Sequence, residues 1–321
     1  MKISVIIPTR NRADFLADAL KSLENQKYQA SKFEIIVINN GSSDHTCHVL
    51  EEFSTHLSNL RYFNAIEPGL HIGRHRGLME AEGMILAFID DDIIAHPTWL
   101  QAIRDSFNDS SVAMLGGNNL PLFLDQPPLW LSKIWNKRRR GRKAISALSI
   151  IELNGPTRQI DPNLVWGCNF SIRKDVLLAA QGFHPDGMPP DLVRFRGDGE
   201  THVSRFVAES GMLCLFNPGA SVYHKVPAER MTFAYFRQRG FNQGVSDSYT
   251  ALRNQRTGRQ WQANALRSLW RLTKAHLTFD RDIRKAFTEM EKGYREGFAY
   301  HQYTYRTDPE VRAWVHKPNY F

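Results

Sequence analysis

Cysteine is scarce in this sequence. Among 321 residues there are three, Cys47, Cys168 and Cys214, and they lie far apart with no CxxC pair. A disulfide framework uses an even number of cysteines, and a structural zinc site uses closely spaced ligands. The sequence therefore argues against both and favours a reducing compartment.

Long apolar segments are also lacking. The N-terminal segment MKISVIIPTRNR has an apolar run too short for a signal peptide. No stretch reaches the roughly 20 apolar residues that a membrane-spanning helix requires. We therefore expect a cytoplasmic protein, and peripheral attachment at the inner membrane face stays open.

Acidic residues are fewer than basic ones. The chain carries 33 Asp and Glu against 41 Lys and Arg, which gives a net charge of +8. This balance favours anionic partners such as nucleotides, nucleic acid or an anionic membrane face. No nucleic-acid-binding motif is recognisable, so we expect no nucleic-acid partner.

Many of the basic residues fall in one stretch. Residues 133–143 contain seven Lys or Arg, and Trp130, Ile134 and Trp135 are interleaved with this run or flank it. Basic and aromatic side chains together suit an anionic membrane surface, with the rings at headgroup depth. A solvated loop or an acceptor lid would have the same composition, so both readings stay open.

Strand-like and helix-like segments alternate in the first part of the chain. Residues 3–7, 33–38, 60–64 and 84–89 predict strands, and the segments between them carry apolar residues at helical spacing. Fully apolar strands alternating with helices predict an α/β fold with a mostly parallel sheet covered on both faces. The clusters PTRNR, NNGSSD and DDD follow the first, second and fourth strands. Because ligands bind beyond the carboxyl ends of such strands, we expect the three clusters to meet at one edge.

The fourth predicted strand ends in three adjacent carboxylates, Asp90, Asp91 and Asp92. Like charges repel, and burying them is costly without a positive partner. Asp90 and Asp92 are two residues apart on an extended exit and should point the same way. Carboxylate oxygens suit a hard divalent cation, so the pattern predicts a metal site. A solvated acidic turn is the alternative.

Three segments of the sequence, taken together, resemble a known protein family. SVIIPTRNR, IIVINNGSSD and GLHIGRHRGLMEAEGMILAFIDDD are similar in order and spacing to the inverting family 2 glycosyltransferases with a GT-A fold. The resemblance covers residues 1–245. It implies a Rossmann-like sheet with helices on both faces, divided into a nucleotide-binding half (1–118) and an acceptor and catalytic half (119–245). Residues 246–321 would then be a basic helical C-terminal extension.

The resemblance also implies roles for particular residues on the donor side. Asp92 and His224 would hold Mn²⁺ or Mg²⁺, and Asp91, on the opposite face of the strand exit, would best tolerate change. Where the family usually has an Asp that reads uracil, this chain has Asn39, which leaves the base open with uridine as the first expectation. The implied nucleotide and donor contacts are Pro8, Thr9, Arg10, Arg12, Asn39, Arg74, Asp90, Asp91 and Arg239.

On the acceptor side, VWGCNFSIRK resembles the segment that lines the family's sugar pocket. It implicates Gly167 and Asn169, with Trp166 as a stacking platform or a core residue. In FRGDGETHVSRF, Asp198 or Glu200 would be the base that deprotonates the acceptor hydroxyl. The sequence slightly favours Asp198, and the alternative is that both carboxylates only cap a helix.

The expected function is a metal-dependent, inverting hexosyltransferase. It would move a sugar from a nucleotide-diphosphate sugar, UDP-linked at first expectation, to a hydroxyl of a glycan or lipid-linked acceptor. A catalytically silent relative that binds a membrane or partner through its basic region is the alternative. A nucleotidyltransferase is disfavoured because PTRNR lacks the glycines of a phosphate loop.

Overall fold

The computed structural model describes residues 2–139, 141–254 and 280–321. The strands are β1 (Ile3–Thr9), β2 (Phe33–Asn39), β3 (Leu60–Asn64), β4 (Ile85–Ile89), β5 (Ile93–Ala95), β6 (Val112–Gly116), β7 (Asn119–Phe123), β8 (Arg142–Ile145), β9 (Ile150–Leu153), β10 (Arg158–Gln159), β11 (Asn169–Arg173), β12 (Leu213–Phe216) and β13 (Val222–Val226). The helices are α1 (Ala13–Glu24), α2 (Thr46–Ser54), α3 (Leu70–Glu80), α4 (Trp99–Phe107), α5 (Leu129–Asn136), α6 (Lys174–Ala179), α7 (Glu200–Glu209), α8 (Phe233–Arg253), α9 (Arg281–Thr307) and α10 (Pro309–Val315).

An eight-stranded sheet forms the centre of the molecule, in the order β10-β12-β6-β11-β4-β1-β2-β3. Strands β3, β2, β1 and β4 run parallel, whereas β11 is antiparallel to both of its neighbours, β4 and β6. Alternate residues of β1 face different layers. Val5 belongs to a core that includes side chains of α1, α2 and α4, and Ile6 to a core that includes α3, α6 and α7. Both faces are therefore covered, which explains the uninterrupted apolar sequence of the strands.

A second sheet of five strands, in the order β5-β13-β7-β9-β8, lies beside the exit of β4. Strand β5 begins directly after the three aspartates and pairs with β13, so that Ile93 is opposite His224. This pairing carries His224 to the carboxyl end of β4, although the two residues are far apart in sequence.

Helix α3 packs unusually close to β1. A Cβ added at Gly77 would lie 2.3 Å from Ile6 Cγ2, and one added at Gly73 would lie 2.9 Å from Pro8 Cβ. Any larger side chain at these positions would push the helix away from the sheet. The close approach holds Arg74, which lies between the two glycines, at the edge of the sheet.

Helices α8 and α9 form a hairpin with two pairs of glycines at its contact. Gly240 and Gly244 on α8 face the α9 backbone, and Gly293 and Gly297 on α9 face the α8 backbone. An added Cβ at any of the four would lie 2.0–2.1 Å from a carbonyl oxygen of the other helix. Small residues at this spacing let two helix backbones approach closely. The glycine spacing in GFNQG and GYREG indicates this contact, which was not predicted from the sequence.

The α/β architecture and the C-terminal helices predicted from the sequence are confirmed. The large sheet continues across the predicted boundary between the two halves of the domain, because β10, β11 and β12 belong to it. The boundary predicted after residue 245 falls inside α8. Part of the predicted helical C-terminal extension, residues 255–279, lies outside the described residues. Among the residues that are described, no helix has the length and apolar character needed to cross a membrane.

Candidate active site

A cavity of about 240 Å³ opens at the carboxyl ends of β1, β2 and β4. The edge predicted from the parallel topology is therefore where the polar clusters meet. The lining residues are Pro8, Thr9, Arg10, Arg12, Asn40, Gly69, Leu70, Asp90, Asp91 and Gly187. Six of these were predicted, and we refer to this space as the nucleotide cavity.

Asn39 does not line the nucleotide cavity. Its amide closes the turn after β2, where Oδ1 accepts a hydrogen bond from the Ser42 amide at 3.0 Å. The next residue, Asn40, lines the cavity instead and donates from Nδ2 to the Gly69 carbonyl at 3.3 Å. The departure from the family pattern at Asn39 therefore concerns a residue that shapes the turn beside the cavity.

The three aspartates are matched by three arginines of the chain itself. Arg12 bridges Asp91 and Asp92, with both nitrogen–oxygen distances at 2.8 Å. Arg74 lies 3.5 Å from Asp90. Arg230 lies 2.9 Å from Asp92. The carboxylates therefore have positive partners without any ligand, and Arg230 was not foreseen because it comes from the turn after β13.

Asp91 does not lie on a free face of the strand exit, and this corrects the sequence-based expectation. Its side chain is buried, and one carboxylate oxygen accepts a hydrogen bond from Thr9 Oγ1 at 2.8 Å while the other meets Arg12. Burial raises the pKa of Asp91, Arg12 opposes that shift, and the neighbouring Asp92 adds to it. A buried carboxylate with two partners is a poor candidate for the residue that tolerates change best.

Asp92 and His224 lie together, as the resemblance implied. His224 Nε2 is 3.2 Å from Asp92 Oδ1, and both side chains are buried. Burial tends to raise the pKa of Asp92, but His224, Arg12 and Arg230 outweigh it and hold the pKa far below its ordinary value. This carboxylate is therefore held in its ionised form.

The donor set at this point fits a divalent ion that a substrate also coordinates. Two neighbouring ligands of an octahedral ion at about 2.1 Å are separated by about 3 Å, which is close to the spacing of Asp92 Oδ1 and His224 Nε2. Among the described residues no group of three or more His, Cys, Asp or Glu side chains could enclose a metal. Such an ion would therefore need further ligands from phosphate oxygens or water.

A second cavity, of about 300 Å³, adjoins the nucleotide cavity, and Leu70, Asp90 and Gly187 line both. Arg74 spans its floor. Its guanidinium lies 3.5 Å from both Asp90 and Glu200 and donates to the Gly167 carbonyl at 3.1 Å. We refer to this space as the transfer cavity. Arg74 lies between Glu200 and Asp90, the residue that lines both cavities.

Glu200 and Asp198 have different surroundings. Glu200 begins α7, its side chain is 26% exposed to the transfer cavity, and Oε1 accepts a hydrogen bond from the Gly167 amide at 3.2 Å. Asp198 is 5% exposed and has both oxygens engaged, by His184 at 2.6 Å, Thr250 at 2.7 Å and Arg205 at 3.3 Å.

The contacts of Asp198 also decide its ionisation. Burial acts to raise the pKa of Asp198. Its contacts outweigh burial, the hydrogen bond from His184 being the largest, and lower the pKa to about 2. A carboxylate held this way is a weak proton acceptor at neutral pH. Its contacts tie α7 to the segment around His184 and to α8.

The three residues predicted for the sugar pocket separate in the structure. Gly167 lines the transfer cavity, where an added Cβ would lie 2.4 Å from Arg74 Nη2. Asn169 lies in the core, accepts a hydrogen bond from Trp99 Nε1 at 3.1 Å and donates to the Ala220 carbonyl at 2.9 Å. Trp166 packs partly buried against the hydrophobic core, in line with the core alternative.

Helix α8 supplies one wall of the transfer cavity. Arg239, Gln243, Asp247 and Thr250 line it at helical spacing. Gln243 donates to Asp247 at 2.7 Å, and Asp247 also accepts from Tyr294 of α9 at 3.0 Å. Arg239 is half-buried and makes no hydrogen bond or ion pair with the rest of the described chain. Arg239 was predicted from the sequence, whereas the polar side chains that follow it on α8 were not.

Sequence comparison identifies the family. The model of the family described as "Glycosyl transferase family 2" matches residues 4–178, which is more than half of the chain. The chain belongs to this family. The glycosyltransferase family predicted from the sequence is therefore confirmed.

Two curated relatives of this family 2 chain come from Haloferax volcanii. Glycosyltransferase AglE is 36% identical over 117 residues, which are 36% of this chain and 38% of AglE. A protein named glucosyl-dolichyl phosphate glucuronosyltransferase is 22% identical over 251 residues, which are 77% of this chain and 76% of that protein. The match to AglE thus spans well under half of that protein.

A solved structure supports the fold of this family 2 protein. The mannosyltransferase PcManGT from Pyrobaculum calidifontis, solved with GDP-Man and Mn²⁺, superposes with a TM-score of 0.56 at 18% identity. The superposition covers 98% of this chain and 84% of PcManGT. The GT-A fold expected from the resemblance is confirmed.

Proposed function

We propose that this protein transfers a sugar from a nucleoside diphosphate sugar to a hydroxyl group, with inversion at the anomeric carbon. The observation that carries the proposal is the junction of the two cavities at Asp90, with Glu200 across the transfer cavity. A donor whose nucleotide fills the first cavity would extend its sugar past Asp90 into the second. Family membership and the nucleotide sugar bound by PcManGT support this use of the site.

We take Glu200 as the general base and Asp198 as a positioning residue. Glu200 is exposed to the cavity, whereas both oxygens of Asp198 are already engaged. In the reaction, the acceptor hydroxyl gives its proton to the Glu200 carboxylate, and its oxygen forms the new bond to the anomeric carbon. The bond from that carbon to the diphosphate oxygen breaks, and its electron pair leaves with the diphosphate.

The donor side supplies the countercharge. We propose that Asp92 and His224 hold a divalent metal, Mn²⁺ or Mg²⁺, and that a bound metal would act as a Lewis acid on the leaving diphosphate. Arg12 and Arg10 border the nucleotide cavity, where a guanidinium can donate to phosphate oxygens. Uridine remains the proposed base, with the Asn40 side chain near the position where it would bind.

The acceptor would lie along α8. The polar stripe Arg239, Gln243 and Asp247 offers both donors and acceptors, which suits a sugar with several hydroxyl groups. We therefore retain a glycan or lipid-linked acceptor. The name of the Haloferax glucuronosyltransferase, which specifies a dolichyl phosphate-linked sugar, favours the lipid-linked form.

The basic stretch at residues 133–143 bears on membrane contact. Lys133 pairs with Asp280, and Arg138 and Lys143 both pair with Glu152, so part of the positive charge is neutralised within the protein. Trp130 is buried against Phe233 and Phe236 and is not free to enter a headgroup layer. Exposed Leu129 at the start of α5 still supports peripheral contact.

The test is a thermal-shift screen of nucleoside diphosphates with and without Mn²⁺, followed by transfer assays with the matching sugar nucleotides. A ligand at 100 times its Kd stabilises a protein by about 2.7 kcal/mol, so a true donor base is readily detected. We expect UDP with Mn²⁺ to give the largest shift. Binding without turnover of any nucleotide sugar would favour the silent relative, and no nucleotide binding would overturn the proposal.

A further inference from the structure

Arg230 contacts both residues that would hold the metal, at the His224 nitrogen of the proposed pair and at the other carboxylate oxygen of Asp92. Its Nη2 is 2.9 Å from Asp92 Oδ2, and its Nη1 is 3.3 Å from His224 Nε2. The guanidinium therefore contacts both side chains of the proposed metal pair at once. Arg12 also binds Asp92 Oδ2, at 2.8 Å, but its second nitrogen turns away to Asp91.

The guanidinium and a divalent ion compete for the same groups. Arg230 Nη1 lies 3.3 Å from His224 Nε2, so an ion bound to that nitrogen would need the space that the guanidinium occupies. The ion would also lie within a few ångströms of a fixed positive charge, where repulsion in a buried site is strong. The metal pair is therefore complete only after Arg230 moves.

The surroundings give Arg230 somewhere to move. It lies in a single helical turn, Ala228–Met231, between β13 and α8, and its side chain is 20% exposed. It also lines an open surface cavity of about 530 Å³ together with Asn11, Arg12, Phe15 and Asp44. A side chain turned into this cavity would face the carboxylates of Asp14, Asp44 and Glu229, which also line it.

We propose that Arg230 is a built-in competitor for the divalent cation. It neutralises Asp92 and caps His224 in the metal-free protein, and the incoming ion displaces it. Asp92 therefore has a positive partner both with and without the metal. The affinity for the metal then depends on how well other carboxylates can bind the displaced Arg230. This rests on the part of the proposed function that assigns Asp92 and His224 to a metal.

The test measures Mn²⁺ binding by electron paramagnetic resonance, in the absence of any nucleotide. We expect Arg230→Gln to bind Mn²⁺ about tenfold or more tightly than the unmodified protein, which is the usual size of coupling between competing ligands. Arg237→Gln is the matched control. It removes the same charge from an exposed arginine that pairs with Glu289 and Glu296, and its Mn²⁺ affinity should not change.

Two further variants keep the test decisive. Adding His224→Ala to Arg230→Gln should abolish the gain, which locates the bound ion. Arg230→Lys retains a cation but has a single nitrogen, so it should fold even if the Gln variant does not, and it should bind Mn²⁺ more tightly than the unmodified protein.

Unchanged or weaker Mn²⁺ binding in the folded Arg230 variants would overturn the proposal, as would an equal gain in Arg237→Gln. These measurements use the metal alone, so they are independent of whether any sugar is transferred. Failure of every transfer assay alongside a tenfold gain in Arg230→Gln would count against the proposed function and leave the competition between Arg230 and the ion established.

Discussion

At the scale of single residues, Asp198 and Glu200 lie two positions apart in the sequence but have opposite environments. Glu200 has one backbone donor and an arginine at 3.5 Å, and its side chain opens onto a cavity. Asp198 is enclosed by His184, Thr250 and Arg205. Sequence alone could not separate them, because the difference arises from α8 and from the segment before α7.

Glu200→Gln should lower the rate of sugar transfer with little effect on folding. A general base contributes about 10²- to 10⁴-fold to a rate, and Gln keeps the hydrogen bond to the Gly167 amide while losing the ability to accept a proton. Transfer rates at saturating substrates measure the change, and thermal unfolding checks the fold. Glu209→Gln, exposed at the other end of α7, should leave both unchanged. Activity near the unmodified level in Glu200→Gln would rule out this base.

Asp198→Asn should instead reduce stability. Breaking a buried, charge-assisted network of this kind costs about 3 kcal/mol at neutral pH. The pKa of Asp198 is lowered from 3.8 to about 2, so its contribution is present above pH 3.8 and is lost as the pH falls through about 2. The difference in unfolding free energy between the unmodified protein and the variant, measured with urea, should therefore shrink by about 2 kcal/mol from pH 4 to pH 2. A constant difference across this range would contradict the ionisation argument, and exposed Asp191→Asn is the neutral control.

At the scale of elements, α8 has two functions that constrain each other. One face presents Arg239, Gln243 and Asp247 to the transfer cavity, and another brings Gly240 and Gly244 against the α9 backbone. The glycines fix the distance between the two helices, and Asp247 is held from α9 by Tyr294. This wall of the transfer cavity is thus positioned from outside the segment that the family match covers, which ends at residue 178.

Gly244→Ala should disturb both functions. The new Cβ would lie 2.1 Å from the Tyr294 carbonyl oxygen, so the helices must separate, and overpacking of this kind costs about 1–3 kcal/mol. Because α8 would shift, we expect KM for the acceptor to rise while donor binding is retained. Calorimetry and steady-state kinetics measure the two effects. Gln238→Ala, on an exposed position of the same helix, should change neither, and a stable Gly244→Ala would argue against the close contact.

At the scale of the whole molecule, the sequence predicted what repeats along the chain and missed what converges from distant parts of it. Apolar periodicity predicted the strands of the parallel sheet, and topology then predicted that PTRNR and DDD meet. Asn40 could not be preferred over Asn39 by pattern alone, since the choice depends on the turn after β2. Arg230 carries no motif at all, because it reaches Asp92 only through the pairing of β13 with β5.

The same convergence predicts how the molecule unfolds. Strand β11, from the predicted acceptor half, pairs with both β4 and β6 of the predicted nucleotide half, and it contributes to the core that lies under α3. The sheet and the nucleotide cavity therefore draw on both halves, since Gly187 of the second half also lines that cavity. We therefore expect a single calorimetric transition whose measured enthalpy equals the van't Hoff value. A nucleoside diphosphate should raise the temperature of that whole transition. Two resolved transitions, with only one shifted by the nucleotide, would mean that the halves fold separately despite the continuous sheet.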